Sequence, residues 1–76
     1  MSQIKEVVPM DDYKLDVLLD NGSSITLNLE SRLQTIRFGM LADKNFFKHA
    51  TTDGNFIRWG DSIEISVTEV FQLAQK

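Results

Sequence analysis

His49 is the only histidine of this chain, and imidazole is the side chain best suited to moving protons near neutral pH. As a general base it would need an orienting carboxylate, and Asp53 and Glu64 in the hairpin that follows are the candidates. One histidine cannot form a His-rich metal site, and neither H-x-x-x-H nor H-E-x-x-H spacing occurs. The alternative is an exposed strand histidine paired across the hairpin with Thr, Asn or Arg58. That alternative is favoured, because base chemistry needs a pocket that so small a domain rarely encloses.

The other chemistry-bearing residues also have structural explanations. Asp11, Asp12, Asp16 and Asp20 cluster in sequence but lack the D-x-D-x-D-G rhythm of a calcium loop, so they read as solvated surface. Ser31 and Ser66 stand where helices should begin and have no assignable histidine, which makes them caps rather than nucleophiles. The glycines match neither G-x-G-x-x-G nor G-x-x-x-x-G-K-S. With no cysteine, disulfides, thiolate metal sites and cysteine nucleophiles are excluded together. The sequence therefore predicts no catalytic residue, no cofactor and no metal.

Composition sets the frame for these residues. The 76 residues suit one small α+β domain over positions 1–76, with 42% hydrophobic and 25% charged residues. Net charge is −3, from 11 acidic and 8 basic residues spread along the chain, so no basic stripe points to nucleic acid. "MSQIKEVVPMDD" lacks the features of a signal peptide, and no apolar run is long enough to span a bilayer. A cytoplasmic setting away from membranes is expected, in keeping with the missing cysteines.

"IKEVVPM" reads as a first strand whose Pro9 belongs at an edge or a bend. In "YKLDVLL", Tyr13, Leu15, Val17 and Leu19 alternate with polar residues, and in "SITLNL" Ile25, Leu27 and Leu29 do the same. Register selects the turn between them. A two-residue Asn21-Gly22 loop would set Asp16 opposite Leu27, whereas a three-residue loop over Asp20, Asn21 and Gly22 sets Val17 opposite Ile25 and Leu15 opposite Leu27. The three-residue loop, with Gly22 left-handed, is the prediction.

Leu33, Ile36 and Met40 recur at helical spacing, with Ser31 as N-cap and Gly39 as the stop. "DKNFFK" suggests a further helical turn capped by Asp43, and Asp53-Gly54 lies between the strands "HATT" and "FIRW" of a second hairpin. "SVTE" has the form of a capping box, in which the Ser66 hydroxyl accepts from the Glu69 amide and the Glu69 carboxylate reaches back. Behind it, Val67, Val70, Phe71 and Ala74 form an apolar stripe, and Lys76 suits the helix C-terminus. Strand alternation turns Arg58 outward and Trp59 inward, so Trp59 is expected in the core against Phe71 or Val70.

These elements, with the stretches "IKEVVPMDDYKLDVLLDNG", "LADKNFF" and "FIRWGDSIEIS", resemble a small bacterial family of domains of unknown function with an I-x-W-x-x-x-x-x-I-S type motif. The resemblance covers nearly the whole chain, though relatives carry Pro-Asn-Gly or similar where this chain has Gly60-Asp61-Ser62. It implies an α+β fold of hairpins packed with helices and no established activity, so no catalytic residue is carried over. Some members are fused to a helix-turn-helix domain, and others are encoded beside a second small protein in a toxin–antitoxin-like arrangement. Ending at Lys76, this chain is expected to lack such a DNA-binding domain.

The leading functional expectation is a non-enzymatic module that binds a protein partner, itself included, with strand edges available for pairing. A second expectation is an antitoxin-like regulator that neutralises a small basic partner. A third, disfavoured, is an enzyme using His49 with a nearby carboxylate.

Overall fold

The computed structural model describes residues 3–74 and has an α+β architecture. Two antiparallel three-stranded sheets carry the core, and the chain builds each of them as a meander. The first holds β1 (Ile4–Pro9), β2 (Lys14–Leu19) and β3 (Ser24–Asn28); the second holds β4 (Thr51–Thr52), β5 (Phe56–Trp59) and β6 (Ile63–Ser66). Between them lie short turns and α1 (Lys44–Phe47), and the chain closes with α2 (Val67–Ala74).

Alternation works as expected in the first sheet. Leu15, Val17, Leu19, Leu27 and Leu29 are buried, while Lys14, Ser24, Thr26 and Asn28 are exposed. Val17 pairs with Ile25 and Leu15 with Leu27 across a three-residue loop, in which Gly22 adopts φ +90° and its amide donates to the Leu19 carbonyl. β1 departs from strict alternation because the register slips between Ile4 and Glu6. That bulge lets Ile4 and Val7, three positions apart, both face the core.

The strand edges offer less than the sequence promised. Met10 N–H donates to the Lys14 carbonyl, so by antiparallel alternation Val7 and Pro9 turn their backbone groups away from β2. Pro9 thus removes an outward donor, and the bulge beside Lys5 breaks the edge further. The N-terminal end of β1 is tied to the second sheet by Ile4 N–H donating to the Gly54 carbonyl, at 2.8 Å. α2 lies against β3, and Arg37 occupies the Glu64 carbonyl of β6.

The helix expected from Leu33 to Met40 does not form. Residues Glu30–Arg32 and Gly39–Ala42 make two short 3-10 turns instead, and Gly39 opens the second rather than ending a helix. Ser31 lies inside the first turn, whose Glu30 amide is capped by the Asn28 side chain. Ile36 is fully exposed and Met40 is exposed, while Phe38 and Leu41 are buried. The cause is partly local: the Thr35 hydroxyl donates to the Arg32 carbonyl and accepts from the Phe38 amide, competing with helical bonds. Burial of the larger Phe38 ring then outweighs the Leu33–Ile36–Met40 stripe.

Asp43 caps α1 as expected, accepting from the amides of Asn45 and Phe46. At α2 the Ser66 hydroxyl accepts from Glu69 N–H at 3.1 Å, but the Glu69 carboxylate does not return to Ser66. It is held instead by Arg37, thirty-two positions away in sequence. The buried face of α2 is Val67 and Val70 with Leu73 packed beside them, whereas Phe71 and Ala74 are exposed. The expected role of Lys76 lies outside the described residues.

Trp59 is fully buried, as expected, in the same core cluster as Val70, and it gains an aromatic partner that the sequence did not suggest. The indole stacks on Phe47 of α1 with ring centroids 6.1 Å apart, and its N–H donates to the Phe47 carbonyl at 3.0 Å. Phe71, the other residue expected against it, is exposed. Replacing Trp59 by Ala should cost about 3–5 kcal/mol, from lost burial, cavity formation and an orphaned helix-end carbonyl. Urea denaturation checks the loss, and acrylamide should quench the native tryptophan fluorescence weakly.

Candidate functional site

An open cleft of about 270 Å³ lies where the β1–β2 connection faces α1. One wall is Met10 with the turn Asp11–Tyr13, and the other carries Lys44 and Lys48 above the Phe47 ring. Lys44 and Lys48 are four residues apart, which puts both ammonium groups on the same side of the α1 segment. Tyr13 packs edge-on against Phe47, at 5.5 Å between centroids and 74° between planes, and floors the cleft.

The turn that forms this wall is strained. Asp12 adopts φ 61° and Tyr13 φ 60°, two successive left-handed residues, neither of them glycine. Each such residue costs on the order of 1–2 kcal/mol, and Tyr tolerates the conformation less well than Asp. Tyr13 is held there from three sides. Its hydroxyl donates to the Ala42 carbonyl at 2.6 Å, its own carbonyl accepts from Leu29 N–H at 2.9 Å, and its ring rests on Phe47. Strain held in place by the surrounding structure is a feature of functional surfaces.

Opposite charges face each other here without meeting. Among the described residues, the side chains of Asp11, Asp12, Lys44 and Lys48 make no hydrogen bond or ion pair. Lys5, Glu6, Lys14, Glu30, Arg32 and Asp61 are likewise unpaired among the described residues, whereas two arginines gather carboxylates. Arg58, on the outer face of β5, bonds Asp53 at 2.7 Å and its cross-strand neighbour Glu64 at 2.8 Å. Asp53 also accepts from the amides of Asn55 and Phe56. These amide bonds, the Asn55 bond foremost, and the Arg58 bond lower its pKa to about 2. A carboxylate so acidic is a weak proton acceptor near neutral pH. A second hollow, of about 360 Å³, borders this cluster beside the Gly60–Ser62 turn; its Arg58 and Glu64 are paired with each other, and Asp61 is the one charge on its lining left without a partner among the described residues.

Arg37 joins the irregular segment to α2. Both terminal nitrogens bond the Glu69 carboxylate, and one also donates to the Glu64 carbonyl at 2.7 Å. The Arg37 hydrogen bond is the main cause that lowers the Glu69 pKa.

His49 does not lie on a strand. It follows α1 in an exposed turn, and its Nδ1–H donates to the Asn45 carbonyl at 2.6 Å. The two carboxylates considered as its partners, Asp53 and Glu64, converge on Arg58 instead. Among the described residues no three His, Asp or Glu side chains gather to hold a metal ion, and no helix is long and apolar enough to cross a membrane.

The sequence did not point to the cleft. Its walls come from positions more than thirty apart, and Asp12-Tyr13 lacks the Gly or Asn that announces a left-handed turn. The Asp-Asp doublet after Pro9 was the one local signal of a turn. No family model, no curated protein and no solved structure matches the chain.

Two expected outcomes follow from this geometry. Asp12→Gly should leave stability equal or raise it by up to about 1 kcal/mol, while Asp12→Val should lower it by more than about 1 kcal/mol; thermal unfolding separates the two. The second concerns acid. Asp53 and Glu69 are depressed in the folded state, so their stabilisation is present above the ordinary carboxylate range and is lost as pH falls through the folded values, towards 2 for Asp53. In Arg37→Ala the Glu69 share disappears, and the urea midpoint should fall less than in the parent between neutral pH and about pH 3.

Proposed function

We propose that this chain is a non-enzymatic protein-interaction module and that it engages its partner at the cleft between the Asp11–Tyr13 turn and α1. The observation that carries this reading is the pair of left-handed residues, Asp12 and Tyr13, held rigidly beside charged groups that have no partner among the described residues. A preformed wall with unspent charges lowers the ordering cost of association. Exposed Met10, on the same wall, adds an adaptable apolar contact.

Three further points support this reading over its rivals. The strand edges are blunted, which disfavours pairing by an added strand. Among the described residues His49 has no carboxylate partner, and the two considered for it, Asp53 and Glu64, serve Arg58. An acid-only surface for a small basic partner is opposed by Lys44 and Lys48 on the facing wall. The resemblance to a bacterial family without established activity agrees with a binding role, and a cysteine-free chain suits the cytoplasm.

A photo-crosslinking amino acid placed at Met10, at Ile36 or at Gln72 in cells of the native host tests the reading. A discrete crosslinked protein product at Met10, absent at Gln72, is the expected result. Crosslinking from Ile36 alone would move the interface to the irregular segment and overturn the assignment to the cleft. Equal products at every position, or none, would overturn the module itself.

A further inference from the structure

The cleft continues onto an apolar strip along β1, and this continuity defines the shape of an occupant. Val8 and Met10 alternate with Pro9, so both side chains project from the outer face, 40% and 46% exposed. They stand about 7 Å apart, the repeat of alternate residues in an extended chain. Met10 belongs to both the strip and the cleft wall. A small molecule in so open a site would leave much of its surface in water, whereas an extended segment of a protein can cover cleft and strip together.

Resting on the cleft being the interface, we propose that its occupant is an extended partner segment with two alternate apolar side chains, flanked at the cleft by one basic and one acidic residue. One apolar side chain lies against Met10 and Tyr13, and the next over Val8. The basic group faces Asp11 and Asp12, and the acidic group faces Lys44 and Lys48. Charge complementarity carries this choice. Among the described residues all four charged side chains lack a partner, and opposite signs stand on opposite walls of one cleft. A segment of one sign would be attracted by one wall and repelled by the other. The bulge beside Lys5 and the donorless Pro9 leave little backbone pairing on this edge, so side chains carry the recognition.

A displayed library of random peptides, selected on the full chain and in parallel on the Lys44→Glu, Lys48→Glu double variant, tests the proposal. Both lysines are exposed, and an unchanged unfolding midpoint will verify that the variant folds. The parent should enrich peptides with alternate apolar residues flanked by both signs of charge. The variant should enrich peptides in which the acidic residue is replaced by a basic one. A labelled peptide from the first selection should bind the variant on the order of tenfold more weakly. Selection of the same peptides by both proteins, peptides without this charge pattern, or no enrichment would overturn the proposal. If Met10 crosslinking succeeds while the selection fails, the interface stands and this description of its occupant falls.

Discussion

Burying the Trp59 ring obliges the structure to find an acceptor for its N–H, and the end of α1 supplies one in the Phe47 carbonyl. That carbonyl belongs to the last turn of a helix, where backbone acceptors have no partner of their own, so one bond satisfies both groups. The same contact places the Phe47 ring flat against the indole, and the other side of the cluster is closed by the edge of Tyr13. Trp59, Phe47 and Tyr13 thus form a relay from the second sheet to the first. The floor of the cleft is the outer end of that relay.

The Asp53–Asn55 turn performs the complementary task through the backbone. The Gly54 carbonyl accepts from Ile4 N–H of β1, and the Asn55 carbonyl accepts from Val67 N–H at the start of α2. The Asp53 carboxylate secures the turn itself through two amides and Arg58. Three consecutive residues therefore join β1, β5 and α2. Among the described residues no buried side-chain nitrogen or oxygen lacks a hydrogen-bond partner, so the core is polar only where that polarity is satisfied.

What was legible and what was not divide along a physical line. The register of β2 and β3 could be read because a one-residue slip would have turned Leu15 and Val17 to solvent, and only a three-residue loop avoids that. The caps at Asp43 and Ser66 could be read because a cap depends on the residues within three positions of it. The segment after Leu29 could not. Its apparent stripe of Leu33, Ile36 and Met40 is a pattern of spacing, and spacing does not show that Phe38 and Leu41 have a better place to go.

Glu69 and Trp59 show the same division within single residues. Glu69 has the position of a capping-box carboxylate, but a charged fork from Arg37 binds it more strongly than one neutral backbone amide. Trp59 was assigned inward by alternation alone, and its stacking on Phe47, beyond the expected Val70 or Phe71, depended on where α1 ended. The sequence by itself determined strands, register, turn length and caps, because each rests on interactions between near neighbours with a fixed period. Only the tertiary structure decided the course of residues 30–42, the partner of each charge and the existence of the cleft. Those depend on competition between distant groups for the same surface, and no local period encodes its outcome.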